Sequence, residues 1–419
     1  MEHNRRGFVL VLSLLTTAVL LALVVSYVSR VITDCRLTSK TYNSTAALNL
    51  AEAGVERALW EIINNGMASD GTFSADSFKT SSGDNIGAYY ANVDFSDENN
   101  AIIISTGSAP NKLSPDSKRT IRVAYVKNNF GRAIGASGTG GILLGKNSIV
   151  DSYNSDNGTY AATHTNSDGD ISTNGPISIP SNTDVYGDAN PGADYPFSSK
   201  PAGVSGSWGT RQTPLAYNPI PTETLSAEKA LGLAAAGHGV ITQSESESYT
   251  RTGDNLVVYK TITLTGGSYY FKSITVNNQA NIIVSGQSTI YVDGGNVVVN
   301  TQGDMNVSGQ ATFYVDGGNI NIDTQGDINT LGVPKNLTIY STGTNITLIT
   351  QTDFYGAIYA PNATISLTSK TAGGEIYGAI ACKSFISGTN TAVHFDKALL
   401  NVSQPFLPSG VTSWQEIQE

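Results

Sequence analysis

The longest apolar run of the chain lies close to its N-terminus. From Phe8 to Val28 no residue is charged, and only four Ser and Thr residues interrupt the run. About 20 helical residues are enough to cross the hydrocarbon core of a bilayer, so this run predicts one membrane-spanning helix. Arg5 and Arg6 precede the run and Arg30 follows it, which favours a cytoplasmic N-terminus and an exported remainder. A secretory signal has a shorter apolar core followed by a cleavage site, so the sequence predicts a retained anchor.

The helical pattern continues beyond the membrane segment. Neither Pro nor Gly occurs between the apolar run and Gly54. Apolar residues then recur at steps of three and four, as on one face of a helix. They are Leu48, Ala51, Val55, Leu59 and Ile62. Asn64-Asn65-Gly66 provides a helix stop, because Asn and Gly accept the left-handed conformation. We therefore predict one helix over residues 8–66, with 8–28 in the membrane and an apolar stripe that needs a globular cover.

Three short runs rich in β-branched and aromatic residues follow the helix. They are residues 88–95, 101–106 and 119–126, and turn-forming residues separate them. They predict a small antiparallel sheet within a head of residues 67–127. Such a sheet would cover the apolar stripe of the helix.

An internal repeat marks the second half of the chain. Residues 284–296, VSGQSTIYVDGGN, return as residues 307–319, VSGQATFYVDGGN, at an offset of 23. The sequence Tyr-Gly-Ala-Ile begins at Tyr355 and again at Tyr377, at an offset of 22. Short strands broken by Gly-rich turns at this period are typical of a β-solenoid. We predict a right-handed parallel β-helix.

Composition divides the rest of the chain. Residues 128–187 share with the repeats in 251–403 short apolar runs broken by Gly and Asn, and they are predicted to open the solenoid. Between them, residues 188–250 hold six prolines and a helix-like stretch at 226–236. This segment predicts a long insertion, either a mobile loop or a cap over one face. Residues 404–419 form the C-terminal tail.

These elements predict a mainly β fold class. The chain begins with a long transmembrane and amphipathic α-helix, continues with a small antiparallel sheet and ends in a parallel β-helix. Within the β-helix, asparagines at equivalent turns are expected to form hydrogen-bonded ladders. The pairs are Asn296 with Asn319 and Asn306 with Asn329.

Charge and composition limit the partners and the chemistry. The chain has 24 Lys and Arg against 34 Asp and Glu, a net charge of −10, and no dense basic block. A nucleic-acid partner is therefore not expected. Cys35 and Cys382 are the only cysteines, which excludes a disulfide framework and a cysteine zinc site. Four histidines offer little for a His-rich cluster. We expect no cofactor, no metal and no enzymatic activity.

The N-terminal region resembles that of type IV pilin-like proteins, in particular the PilX type. The resemblance rests on Arg5-Arg6-Gly7 directly before Phe8, and on residues 51–58, AEAGVERA. In that family a prepilin peptidase cuts after the glycine and methylates the new N-terminal residue. The resemblance implies a leader of residues 1–7, processing between Gly7 and Phe8, and an anchor from Phe8 to Val28. The alternative is a plain signal anchor with incidental basic flanks.

One position departs from the family pattern. Most major pilins carry a glutamate at the fifth position after the cut, where it pairs with the N-terminal amine of a neighbouring subunit. That position is Leu12 here. A charge in lipid is costly unless it has its partner. The resemblance therefore implies a minor or tip subunit rather than one that builds the shaft.

The C-terminal part resembles a bacterial family of uncharacterised function in which a PilX-type N-terminus precedes a β-solenoid. The segments that carry the resemblance are 150–154, 186–189, 354–363, 377–380, 394–399 and 413–416. This resemblance implies an architecture and hardly any biochemistry.

Two motifs suggest ligand chemistry, and each has a plainer explanation. Residues 140–147, GGILLGKN, match the phosphate-binding loop motif except at the last position. There Asn147 replaces the Ser or Thr whose hydroxyl binds magnesium. Asp293-Gly-Gly and Asp316-Gly-Gly lack the spacing of the calcium-binding nonapeptide. We expect them to be turns.

Acidic residues gather early in the predicted solenoid. The cluster comprises Asp151, Asp156, Asp168 and Asp170. Carboxylates on one face of a β-helix would suit cleavage of a polysaccharide, but Asp in Gly-rich turns commonly bonds its own backbone. His164 and His394 lack a Ser or Cys context that suggests a triad, and His394 is expected to pack within a strand. Outward rows of the 20 tyrosines would stack on sugars or on another protein.

The sequence therefore predicts a minor pilin-like or pseudopilin-like subunit in the bacterial cytoplasmic membrane or at a filament tip. It would display the solenoid outside the membrane for assembly or adhesion. The expected partners are other pilin-like subunits, a prepilin peptidase, membrane lipid, and a carbohydrate or surface protein. A second hypothesis is a membrane-anchored adhesin that never enters a filament. A third is a polysaccharide-active enzyme.

Overall fold

The computed structural model describes residues 3–64, 70–97, 100–113, 115–126, 130–211, 214–325, 328–329, 331–350, 353–369, 374–402 and 410–417. The chain divides into two compact units. The first, the helix–sheet unit, comprises residues 1–126 and 410–419. The second, the parallel-sheet unit, comprises residues 127–409.

The elements follow one another in this order. The helix–sheet unit begins with α1 His3–Asn64, β1 Gly71–Lys79, β2 Asn85–Asp97, β3 Asn100–Ala109 and β4 Ser117–Val126. The parallel-sheet unit has β5 Ile134–Ala136, β6 Ile142–Leu143, β7 Ile149–Tyr153, α2 Tyr160–Thr163, β8 Ile171–Thr173, β9 Ile177–Ser178, β10 Asp184–Val185, β11 Ala189–Asn190, α3 Thr222–Ala234, β12 Tyr249–Thr252, β13 Asn255–Val258, β14 Thr261–Leu264, β15 Gly267–Phe271, β16 Ser273–Val276, β17 Asn281–Val284, β18 Gln287–Asp293, β19 Val297–Val299, β20 Asp304–Val307, β21 Gln310–Asp316, β22 Ile320–Thr324, β23 Leu337–Ser341, β24 Asn345–Thr350, β25 Phe354–Ser369, β26 Glu375–Ser387 and β27 Ala392–Asp396. The last strand, β28 Gly410–Ile417, returns to the helix–sheet unit.

The two halves of α1 have different surroundings. From Leu12 to Tyr42 the side chains are exposed. Beyond Asn43, one face of the helix is buried against the sheet. Its buried residues are Ala47, Leu50, Ala51, Val55, Ala58 and Ile62, with Leu48 and Leu59 packed at the border. The predicted apolar stripe is therefore confirmed. The predicted stop at Asn65 and Gly66 lies outside the described residues.

The sheet of this unit is antiparallel throughout, in the order β1-β2-β3-β4-β28. Val93, Ile103, Ile121 and Val123 line its buried face and share one core with α1. The three predicted strands are confirmed as β2, β3 and β4. Sequence patterns missed β1, and they treated residues 404–419 as a tail, whereas Gly410–Ile417 pairs with β4.

The sheets of the second unit are largely parallel. Equivalent residues of successive strands stack in register as three buried apolar columns. The first column is Leu256, Ile274, Val297, Ile320, Ile346, Ile365, Phe385, Ile142 and Ile177. The second is Tyr269, Ile290, Phe313, Ile339, Ile358, Ile380, Ile134, Ile171 and Ala189. The third is Ile262, Ile282, Met305, Ile328, Phe354, Ile376, Val393, Val150, Val185 and Val204. All of these side chains belong to one hydrophobic core.

The sequence repeat corresponds to strand pairing. Gln287 to Asp293 pair with Gln310 to Asp316 without a shift, and Tyr355 pairs with Tyr377. The first predicted asparagine ladder is present, because the side-chain oxygen of Asn296 accepts the backbone N–H of Asn319 at 2.9 Å. In the second predicted pair, the Asn329 amide donates instead to the carbonyls of Val333 and Tyr355.

The earliest strands of this unit do not begin the stack. Strands β5 and β6 pair with β26, and β7 pairs with β27, about 240 residues later in the chain. We call this junction the seam. The interpretation that residues 128–187 open the solenoid is therefore corrected, because they extend the stack beyond its C-terminal strands. Their short apolar segments fit any of the three columns, so sequence pattern alone could not fix their place.

The prediction that residues 188–250 are all an insertion is corrected at the start of the segment, where Ala189 pairs with Ile171 and Val204 bridges Val185 within the stack. The following part of the Pro-rich segment lies along the parallel strands. Leu215 exchanges hydrogen bonds with the side chain of Asn174 beside β8, and the carbonyl of Asn218 accepts the Tyr359 hydroxyl from β25. Helix α3 then packs against β21, β18 and β15. Ile241 forms an antiparallel bridge with Leu264. We call residues 214–241 the strap, since they run from one end of the stack towards the other.

Candidate functional site

The first candidate site is the exposed half of α1. Among the described residues, Leu12–Ile63 of α1 is long and apolar enough to cross a membrane. A signal sequence near an N-terminus would have the same length and composition. Gly7 and Phe8 lie within α1, but their side chains lie outside the described part. Val28 is 47% exposed. The helix can therefore supply an apolar surface to lipid or to other helices.

Three hydroxyl side chains in the apolar run donate to backbone carbonyls of the same helix. Thr16 and Thr17 both donate to the carbonyl of Ser13, and Ser26 donates to that of Ala22, at 2.7–2.9 Å. Polar groups in hydrocarbon need such internal partners, because no water replaces them. These residues are therefore compatible with burial in a bilayer or a helix bundle.

The second candidate site is a cluster on the outer face of the third column, at the seam. Strand pairing places Tyr355, Tyr377, His394 and Asp151 side by side on four neighbouring strands. They point outward because they alternate with the buried column residues. The connection between β7 and β8 carries α2 and brings Tyr160 over them. We call these four residues, with Tyr160 and Glu375, the His394 cluster.

Hydrogen bonds occupy both ring nitrogens of His394. Nδ1 lies 2.5 Å from Oδ1 of Asp151, and Nε2 lies 3.1 Å from Oε2 of Glu375. The Tyr160 hydroxyl donates to the other oxygen of Asp151 at 2.7 Å. The Tyr377 hydroxyl donates to Glu375 at 2.6 Å. The rings of Tyr160 and Tyr377 lie 4.1 and 4.6 Å from the imidazole.

The cluster favours a positively charged imidazole. Burial alone would lower the pKa of His394, but its bonds to Asp151 and Glu375 outweigh burial and raise the pKa to about 9. Burial would raise the pKa of Glu375, yet the bonds from His394 and Tyr377 keep it below its usual value.

The arrangement suits holding strands together better than proton transfer. A general base needs a nitrogen that reaches the substrate proton, and both nitrogens of His394 already face carboxylates. His394 lies within a strand as expected, but it is an ion-paired residue rather than a merely packed one. Sequence reasoning missed Glu375 and Tyr160, which pattern alone does not bring near His394.

The other predicted carboxylates have separate partners. Asp156 pairs with Lys335, and Asp168 lies 3.0 Å from the Lys397 ammonium. Asp170 accepts the backbone N–H of Asp188 at 2.6 Å, and burial together with that neighbour's charge raises its pKa to about 6. His164 is exposed, and its ring lies 5.3 Å from the ring of Tyr160. The predicted acidic cluster is therefore spread along the seam and does not converge on one point.

The glycine-rich motifs form turns and strand connections. The Gly145 N–H donates to Ser387 Oγ rather than pointing at a phosphate position, and the Asn147 amide donates to the side-chain oxygen of Asn390. Gly294 and Gly317 have φ of 79° and 78°, as the Asp-Gly-Gly turns require. Within the described residues, no group of three or more His, Cys, Asp or Glu is arranged to hold a metal ion.

The tyrosines do not form an open sugar-stacking row in the second column. Tyr270, Tyr291, Tyr314, Tyr340 and Tyr359 stand in register on the outer side of this column, and all five are buried. We call them the tyrosine ladder. The rings of Tyr270 and Tyr291 are stacked, as are those of Tyr314 and Tyr340, and Tyr340 meets Tyr359 edge-on. Helix α3 packs on the strands of the first three tyrosines, with Lys229 2.7 Å from Asp293. These five buried rings are therefore not presented to solvent as an open row.

Comparison with known proteins finds a family model and similar solved structures. The model of a domain of unknown function (DUF7305) matches residues 235–402, less than half of the chain. Among solved structures, the chain is similar to the competence-associated pilin ComZ from Thermus thermophilus, at 14% identity and a TM-score of 0.40. That match covers 89% of this chain and 97% of the other. No curated protein matches the chain. The functional conclusion therefore rests on the residues of this chain.

Proposed function

We propose that the protein is a minor pilin-like subunit of the PilX type, anchored by α1 before assembly and built into a filament by the same helix afterwards. The observation that carries the proposal is the division of α1. Its first half exposes apolar side chains on every side, and its second half is buried against an antiparallel sheet. Such a helix can leave lipid only for another apolar environment, which a bundle of equivalent helices supplies.

Two features favour a minor or tip position over the shaft. Leu12 stands where the family's shaft-building members carry a glutamate, so the subunit lacks that charge for pairing. The inserted parallel-sheet unit spans residues 127–409, and its bulk would hinder close repetition along a shaft. We propose that this unit is displayed outside the membrane for assembly or adhesion.

We also propose that the parallel-sheet unit is a right-handed β-solenoid. The three in-register apolar columns support stacked coils, and a right-handed turn is the rule for parallel strands joined by crossovers. We propose no catalytic role for it. The engagement of both His394 nitrogens supports this view.

Leader processing tests the proposal. The full-length chain is expressed with and without a prepilin peptidase, and intact mass and N-terminal sequencing are compared. We expect a chain that begins at methylated Phe8 only when the peptidase is present. A Gly7→Val variant, which removes the residue before the cut, should stay unprocessed in both cases. A chain that keeps Met1 in every condition would favour the membrane-anchored adhesin instead.

A further inference from the structure

The seam is held by side chains that lie far apart in the chain. Besides the strand pairing, Asn147 bonds Asn390 and Ser148 bonds Thr391, each at 3.0 Å. Ser155 donates to the Asp396 carboxylate through both its backbone N–H and its hydroxyl, at 2.9 and 2.6 Å. Among these bonds, the His394 contact to Asp151 is the most buried ion pair, with side chains 2% and 3% exposed.

The connection between β7 and β8 depends on the same contact. Residues 154–168 are mostly exposed, and Tyr160 is the side chain through which they reach Asp151. The outer ends of this loop are tied by Asp156 to Lys335 and by Asp168 to Lys397. These outer pairs are more than a quarter exposed on each side, and exposed ion pairs contribute little. Ser155 and the backbone pairing of Thr165 with Ser152 also hold the loop. The buried cluster is the attachment that depends on the charge of an imidazole.

Every element packed against His394 contributes titratable groups to its surroundings. They are Asp151 and Tyr153 on β7, Tyr160 and His164 in the loop, Asp353 and Tyr355 before and on β25, Glu375 and Tyr377 on β26, and Asp396 on β27. The groups next to the imidazole are carboxyl and phenol groups. Loss of the imidazolium charge would leave Asp151 and Glu375 facing a neutral ring in a buried place, which is costly.

We propose that the seam is a pH-responsive joint in which protonated His394 on β27 links Asp151 of β7, and through it loop 154–168, to Glu375 of β26, so that deprotonation loosens the loop. The attraction is present while the imidazole is charged. It is lost as pH rises through the folded-state pKa, which the two carboxylates raise to about 9. The device is independent of filament assembly and lies wholly within the parallel-sheet unit.

Limited proteolysis of the full-length chain in detergent tests this proposal. Subtilisin cleavage within residues 154–168 is followed by mass spectrometry from about pH 7 to about pH 9.5, below the usual pKa values of Lys and Tyr. A free peptide of the same sequence corrects for the enzyme's own pH dependence. We expect the protection of the loop to fall about tenfold over this range. Protection that changes less than twofold would overturn the proposal.

Three variants separate charge from general weakening of the seam. His394→Gln should give low protection at every pH. Glu375→Gln removes one carboxylate, so the loss of protection should move to lower pH. Thr391→Val removes a neutral seam bond and should keep the wild-type midpoint. Circular dichroism checks folding, and if His394→Gln does not fold, an unshifted Glu375→Gln midpoint would by itself contradict the proposal.

Discussion

Ile103 and Ile104 are adjacent on β3 and have opposite environments. Ile103 is fully buried between the sheet and α1, whereas Ile104 is 38% exposed on the other face. The alternation follows from the pleat of a strand, which sends successive side chains to opposite faces. The pair therefore offers the same substitution in two surroundings.

We predict that Ile103→Ala lowers the free energy of unfolding by about 2–4 kcal/mol, through lost apolar burial and the cavity left behind. Ile104→Ala should cost less than about 1 kcal/mol, since the residue is partly exposed. Denaturant unfolding in detergent measures both. A Trp208→Phe background restricts the fluorescence to Trp60 and Trp414, which belong to the helix–sheet unit. Equal costs at the two positions would contradict the packing described for α1 and β3.

Residue patterns allowed some contacts to be predicted and not others. The apolar stripe from Leu48 to Ile62 could be predicted, because the helical spacing of apolar residues does not depend on what covers the helix. The ladder from Asn296 to Asn319 was readable because a repeat places identical residues at one register. The bond between His394 and Asp151 was not, since it joins residues 243 positions apart with no shared motif.

At the scale of elements, α3 packs on the strands of the first three ladder tyrosines and buries few apolar side chains of its own. Leu225 and Gly232 are its buried residues, while Leu231 and Leu233 are more than 40% exposed. A side chain at Gly232 would meet Tyr269 O and Tyr270 Cβ at 2.9 Å. The helix thus depends on close backbone approach at this one position.

Gly232→Val should lift α3 from β15 and expose the tyrosines beneath it. We expect nitration of Tyr270 and Tyr291 by tetranitromethane to rise several-fold, as measured by mass spectrometry of the full-length chain. Ala230→Val introduces the same side chain on the exposed face and should leave nitration unchanged. Wild-type nitration in Gly232→Val would show that α3 does not shield the ladder.

Element prediction from sequence was strongest where the pattern was long and local. Helix α1 and strands β2 to β4 followed from hydrophobic periodicity. The edge strands β1 and β28 did not, because only three residues of each are apolar and pairing, rather than propensity, makes them strands. The strap contained a predicted helix at 226–236, observed as Thr222–Ala234, but its path over the tyrosines depends on contacts from the whole stack.

At the scale of the molecule, the parallel-sheet unit is inserted into the other unit. The chain leaves the antiparallel sheet after β4 and returns to it as β28, and these two strands pair with each other. Both connections therefore start from neighbouring strands. The repeats indicated the parallel sheets, but the seam and the insertion were not predictable. Pairing between strands far apart in the chain does not change the local spacing of apolar residues.

The proposed assembly role depends on α1 leaving the membrane for a filament. Filaments sheared from cells that express the full-length chain should therefore contain the mature form, which begins at Phe8. The Gly7→Val variant, produced at the same level, should remain in the membrane fraction because its leader is retained. Antibody detection and mass spectrometry of the sheared and membrane fractions give the measurement. A mature chain found wholly in the membrane fraction, from cells whose filaments form normally, would contradict the account.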